Sequence, residues 1–327
     1  MGVIASAPSK VILFGEHFVV FGEPAIVLAI DRRVYARSEL CDDGQIHLRS
    51  VNLNLAATFS NDIFKVEKGD QKEARIRFEP VKFAIDRILE KRGKKTGLNI
   101  EINSTVPVGA GLGSSAAVIA AVTTSVAKLL NIDLSKEDVY RITVGGEELV
   151  HGTASGIDPA IATFGGTLQF QADTGFKPLE VKSQIPLVIG DTGIQRSTRI
   201  QVERVRDLRE KYASVIEHMM LAAREITLLA TEALRTDDLE TVGELMNVNH
   251  ALLYGVGVSD ESLEWLINAA RKAGALGAKL TGAGGGGCMI ALSKSDKLQN
   301  VMEGIQRAGG SPFIARKTDE GVKIEHG

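Results

Sequence analysis

The stretch Pro107-Val108-Gly109-Ala110-Gly111-Leu112-Gly113-Ser114-Ser115-Ala116-Ala117 decides how this chain is read. Before it, residues 97–106 alternate, with Leu98, Ile100 and Ile102 set against Asn99, Glu101 and Asn103. That is the period of a half-buried strand. After it, residues 114–130 are rich in Ala and Val and nearly devoid of charge, as in a helix buried on most of its faces. Glycines let the joining loop curve closely around a ligand, and the helix N-terminus offers unpaired N–H groups to an anion. Ser114 and Ser115 could cap that helix, bind phosphate or reach a metal. A plain strand–helix turn capped by Ser114 is the alternative, and the glycines favour phosphate binding over it. The loop is not a Walker A motif, because no Lys follows its last Gly, and the spacing Gly109/Gly111/Gly113 is not that of a dinucleotide fingerprint.

Upstream of this unit, segments 10–14, 25–30, 34–40 and 45–48 are short, β-rich and separated by Gly or Asp. A helix is expected over 80–91, with Val81, Ile85, Ile88 and Leu89 on one stripe. Downstream, Ser135-Lys136-Glu137-Asp138 opens another helix as a capping box, although Gly145-Gly146 should interrupt it. From about residue 185 the texture changes. A strand at 186–190 leads into long amphipathic helices over 197–254 and 259–273. Strands at 278–281 and 288–292, a helix near 296–308 and strands at 312–316 and 321–324 close the chain. A length of 327 residues favours two lobes, and a boundary falls near 172–186, where Asp173, Gly175 and Pro178 separate strands. The lobes are expected at 1–178 and 179–327.

Composition narrows the function. A formal net charge of −3 provides no general basic field for nucleic acid or acidic membrane surfaces. The only cysteines, Cys41 and Cys288, are too few for a disulfide scaffold and fit a reducing cytoplasm. No segment has the ~18 uncharged apolar residues of a membrane helix. Gly is the outlier, 34 of 327 residues against a usual ~7%, and the glycines cluster, which points to sites built from backbone.

Three further pieces carry chemistry. Thr281-Gly282-Ala283-Gly284-Gly285-Gly286-Gly287-Cys288 has more glycine than a hairpin needs, and a backbone wrapped around substrate or phosphates explains it better. Glu147 on a helix and Asp158 in a Ser-Gly-containing loop offer carboxylates for a metal and for an acceptor hydroxyl. Lys10 opens an apolar strand and Glu16-His17 follow its end. A lysine there is either a strand-edge charge or the group that neutralises a transferring phosphoryl.

Taken together, in this order and over nearly the whole chain, these blocks resemble the signature motifs of the galactokinase, homoserine kinase, mevalonate kinase and phosphomevalonate kinase (GHMP) superfamily. Pro8-Ser9-Lys10-Val11-Ile12-Leu13-Phe14-Gly15-Glu16-His17, the run from Glu147 to Asp158, and Thr163-Phe164-Gly165-Gly166 are similar to those of members that phosphorylate mevalonate, in their compact archaeal or bacterial form. The resemblance implies an α+β, two-lobed fold, with an N-terminal α/β lobe like ribosomal protein S5 domain 2 and a ferredoxin-like C-terminal lobe. It implies ATP and Mg²⁺ as cofactors, mevalonate as the small-molecule substrate, a cytoplasmic enzyme and a homodimer. It also implies residue roles. Pro107, Gly109, Ala110, Gly111, Leu112, Gly113, Ser114 and Ser115 would hold the ATP phosphates. Ser115, with Ser114 as its neighbour in the role, and Glu147 would ligate the metal. Asp158 would act on the acceptor hydroxyl with Lys10 beside it. Glu16, His17, Ser155, Thr198, Gly282, Ala283 and Gly284 would surround the acceptor. Phosphomevalonate, the 3-hydroxyl of mevalonate, a sugar, and a non-catalytic sensor on the same fold are the competing readings.

Overall fold

A computed structural model describes residues 2–60, 63–93, 96–107, 111–151, 155–194 and 197–325. Its first lobe grows from a long antiparallel pair, β1 (Val3–Phe14) and β2 (Ala25–Cys41). A turn leads to β3 (Ile46–Ser50), followed by β4 (Leu55–Ser60) and β5 (Ile63–Lys68). Helix α1 (Gln71–Arg92) then crosses to β6 (Gly97–Ser104), which lies between β2 and β3. In β6 the alternation holds: Leu98, Ile100 and Ile102 are buried, while Asn99, Glu101 and Asn103 are exposed.

Helices α2 (Ser114–Leu129), α3 (Lys136–His151) and α4 (Ile157–Phe164) follow, then β7 (Thr167–Gln171) and β8 (Gly175–Pro178), with β7 paired to β2. The small side chains of α2 let it lie close on β1 and β2, burying Ala116, Ala117, Ala120 and Ala121. A buried polar contact ties it to the sheet, Ser125 Oγ to Ser38 Oγ at 2.7 Å.

Two expectations are corrected here. Helix α1 begins at Gln71 rather than near 80, because Asp70 caps it by accepting the Glu73 N–H at 2.8 Å, and Pro80 sits inside. Helix α3 runs without a break through Gly145 and Gly146. These glycines are contact points: a methyl group on Gly145 would stand 2.8 Å from the Phe83 ring of α1, and one on Gly146 2.9 Å from Ile119 of α2. The ~1 kcal/mol helix penalty of each glycine is offset by close helix packing. The capping box at α3 is present, with Asp138 N–H to Ser135 Oγ and Ser135 N–H to Asp138 Oδ2, both 3.1 Å.

The second lobe has one antiparallel sheet. Strand β9 (Pro186–Asp191) is followed by α5 (Thr198–Lys211), α6 (Ala213–Arg235), α7 (Leu239–Gly255) and α8 (Glu261–Lys272). Then come β10 (Gly277–Leu280), β11 (Cys288–Leu292), α9 (Leu298–Arg307) and β12 (Ser311–Arg316), in sheet order β10-β11-β9-β12. The last strand, β13 (Lys323–Glu325), returns to the first sheet and pairs with β1. The buried Arg33 guanidinium holds that return by donating to the Gly321 carbonyl at 2.6 Å. No described helix is long and apolar enough to cross a membrane.

The lobes do not meet as separate bodies. Val11, Leu13, Leu28 and Ile30 of the first pair share one core with Leu187, Ile189, Ile290 and Leu292 of the second sheet. Phe18, in a 3-10 turn just after β1, is fully buried in the core of the second lobe. A continuous core resists lobe separation and fixes the spacing of the segments that line the cleft.

Candidate active site

The glycine loop enters α2 through a backbone only glycine accepts easily. Gly113 has φ +72° and forms the N-cap, so α2 starts abruptly with its first N–H groups turned toward the loop. Just before it, the Leu112 carbonyl accepts the Lys10 N–H at 2.9 Å, which pins the loop to β1. A methyl group on Gly113 would stand 2.8 Å from Lys10 Cγ and 3.5 Å from Asp158 Oδ2. The helix start therefore lies against both charged side chains.

Lys10 Nζ lies 3.0 Å from Asp158 Oδ1, with side-chain exposures of 9% and 31%. Lys10 reaches this point from β1, and Asp158 from the first turn of α4, after Gly156 at φ +77°. An acidic group in a first turn is favoured by the helix dipole. The ammonium is nearly enclosed while the carboxylate keeps an open side. The arrangement can therefore hold a negative charge and accept a proton at the same place.

A second group of contacts joins β1 and the turn after it to the second lobe. Thr281 locks to β1 in both directions: the Ile12 N–H donates to Thr281 Oγ1, and Thr281 Oγ1–H donates to the Ile12 carbonyl, each 3.0 Å. From that anchor Gly282 and then Gly284 to Gly287 all take positive φ. His17 Nε2 donates to the Ala283 carbonyl at 2.8 Å, which places the proton on that ring nitrogen. Beside it the Lys279 ammonium is ion-paired with Glu16, and both side chains are fully enclosed. Lys279 also donates to the Leu280 carbonyl at 2.9 Å. Burial pushes the Glu16 carboxyl up and the Lys279 ammonium down, and the charge of each opposes the shift of the other. Glu16 Oε2 has no hydrogen-bond partner among the described residues.

Lys10, Asp158, Leu112 and Gly113 thus converge, and Glu16, His17, Lys279 and the Ala283 carbonyl are linked to one another where the second lobe is tied to β1. Pro107 and Gly111 lie on the approach to Gly113, while Gly109 and Ala110 fall outside the described residues. Ser114 and Ser115, both half-buried, occupy the first turn of α2. Glu147 is buried on α3, which packs against α2. Their hydroxyl and carboxylate oxygens are hard donors of the kind Mg²⁺ takes. Ser155 is exposed ahead of α4, its Oγ accepting the Ile157 N–H at 3.4 Å. Thr198 is exposed at the start of α5, one turn before Gln201, whose side chain covers Gly285. Sequence reasoning missed Lys279. The usable signal was a lone lysine in an otherwise apolar strand directly before the glycine run.

Gly113 and Asp158 fall in a segment that matches one family model, and Lys279 and Gly282 to Gly287 in a segment that matches another. Residues 79–166 match the GHMP kinases N terminal domain and residues 230–311 the GHMP kinases C terminal domain. A mevalonate kinase of Pyrococcus abyssi is 44% identical over 331 residues, covering 99% of this chain and 98% of the relative. The structure of Methanococcus jannaschii mevalonate kinase superposes with a TM-score of 0.84 at 28% identity, over 96% of this chain and 98% of the other. That of L. major mevalonate kinase in complex with R-mevalonate gives 0.83 at 28% identity, over 97% and 96%. The chain belongs to the mevalonate kinase family of the GHMP kinases.

Proposed function

We propose that the chain transfers the γ-phosphoryl group of ATP to the 5-hydroxyl of (R)-mevalonate, giving 5-phosphomevalonate and ADP. The observation that carries this reading is the Lys10–Asp158 pair at 3.0 Å, set against the Gly113 turn at the start of α2. The turn and the N-terminus of α2 receive the phosphates, with backbone N–H groups as donors. Asp158 orients the acceptor hydroxyl and takes its proton as the new P–O bond forms and the bond to the β-phosphate oxygen breaks. Lys10 offsets the charge on the transferring group. On the other wall, the enclosed Glu16–Lys279 pair supports the acceptor pocket from beneath, while His17 and the 282–284 backbone shape it. Ser155 and Thr198 reach the acceptor from the rim.

Ser115 and Glu147 would hold Mg²⁺, with Ser114 in reach of the same position. Bound there, the ion would supply positive charge to offset that of the phosphates. The first lobe, 1–178, is the ATP-binding half, and 179–327 closes the acceptor side. A homodimer in the cytoplasm completes the proposal.

The test is ADP release from ATP·Mg²⁺ with mevalonate, 5-phosphomevalonate, homoserine and galactose, followed by ³¹P NMR of the product. Turnover confined to mevalonate with a 5-phosphate product is expected. Turnover on phosphomevalonate instead, or a 3-phosphate product, would overturn the acceptor, and no turnover on any of them would overturn the enzyme.

A further inference from the structure

The tip where β2 turns into β3 holds a second cluster of reactive side chains. Cys41 ends β2, Asp43 lies in the turn, and His47 points back from β3. One ligand atom from each of the three falls within 4.8 Å of the others. The Cys41 thiol donates to Asp43 Oδ1 at 3.1 Å, and His47 Nε2 stands 2.7 Å from Asp43 Oδ2. Asp43 is fixed independently by the Gln45 N–H, which donates to Oδ1 at 2.9 Å.

The far side of the histidine ring fixes its tautomer. Thr58 Oγ1–H donates to the Glu67 carboxylate at 2.6 Å, so the same oxygen can only accept from His47 Nδ1–H, at 2.9 Å. In the neutral ring, Nε2 is then a bare lone pair facing a carboxylate oxygen at 2.7 Å. Two acceptors do not sit that close without a positive charge between them. Either a proton on Nε2 or a cation shared with the carboxylate must supply it. The chain carboxylate–hydroxyl–imidazole behind the ring is also the support that metal-bound histidines use to fix tautomer and orientation.

We propose that Cys41, Asp43 and His47 form a site for a borderline-soft divalent cation of the Zn²⁺ class. A thiolate, a carboxylate oxygen and an imidazole nitrogen are that ion's preferred donors, and Mg²⁺ or Ca²⁺ would not favour the sulfur. The ligand atoms of a tetrahedral zinc stand roughly 3.3–3.8 Å apart, so Asp43 needs to draw back only slightly from its present hydrogen bonds to the thiol and the ring. The side chains of His47 and Asp43 are 33% and 43% exposed, which leaves an entry path and room for a water as fourth ligand. Binding exchanges the Cys41 thiol proton, and the Nε2 proton where present, for the metal, and no oxidant or reductant takes part. The proposal is independent of the phosphotransfer reading, since none of these residues belongs to the cleft.

The test uses the full chain without a polyhistidine tag, reduced, stripped with chelator and titrated with Co²⁺. One equivalent should bind with a thiolate-to-cobalt charge-transfer absorption that Zn²⁺ then displaces. Cys41→Ser should abolish the band, whereas Cys288→Ala, at a fully buried thiol, should leave it intact. His47→Gln and Thr58→Val should each weaken Zn²⁺ binding about 10–100-fold, as removal of a ligand or of its support does. Circular dichroism of the metal-free variants separates loss of binding from loss of fold. No charge-transfer band, saturation only at millimolar metal, or equal affinity in Cys41→Ser and His47→Gln would overturn the site.

Discussion

The two glycine runs use the same residue for opposite purposes. At the start of α2, Gly113 is glycine because of what lies beside it: a side chain there would push on Lys10 and approach Asp158. In the second lobe, Gly284 is glycine because of what lies behind it. A methyl group would fall 2.0 Å from the Val258 carbonyl oxygen, a backbone atom that cannot swing away, and the next N–H, of Gly285, donates to that same carbonyl at 2.7 Å. The first loop is therefore packed against the Lys10–Asp158 pair and the second against backbone of the fold. The teaching is that a glycine motif is understood only from the atoms a side chain would meet.

Three substitutions sharpen this contrast, the largest effect first. Lys279→Met leaves the enclosed Glu16 carboxylate uncompensated beneath the second loop and should destabilise the protein by about 3–5 kcal/mol in urea unfolding. Adding Glu16→Gln should restore much of that stability. A loss below about 1 kcal/mol for the single change would show that the pair is not the anchor described here. Gly284→Ala comes next: the strained positive φ alone costs about 1–3 kcal/mol and the backbone collision adds to it, so the melting temperature should fall clearly. Gly113→Ala should give the smallest stability loss, about 1 kcal/mol, because the Lys10 side chain can shift. It should nevertheless lower kcat by about tenfold or more through that shift. Reversal of the two phenotypes, with Gly284→Ala stable but slow and Gly113→Ala unfolded but fully active, would break the comparison.

What the sequence made legible follows from range. The strand–loop–helix unit around Gly113 was readable because its periods change from two to a buried helix within a few residues, and Gly113 lies against Lys10 and Asp158. The start of α1 was not, because charge fills 71–79 and Pro80 resembles a beginning, although Asp70 was an available cap signal. Strands β4 and β5 escaped as well, since they lie among Asn and Asp residues that suggest turns. Gly145-Gly146 read as a break because local propensity carries no information about Phe83 and Ile119. The Glu16–Lys279 and Ile12–Thr281 links join residues more than 260 positions apart, which no local pattern encodes. The return of β13 to β1 is likewise a property of the closed fold.

The most direct test of the central claim, that Asp158 beside Lys10 performs the transfer, is single-turnover phosphorylation of mevalonate by Asp158→Asn, with ATP affinity measured in parallel. The account predicts a fall of about 10²–10⁴ in the rate of the chemical step and an ATP dissociation constant close to that of the unaltered chain. An unchanged rate, or a loss explained wholly by weaker ATP binding, would contradict it.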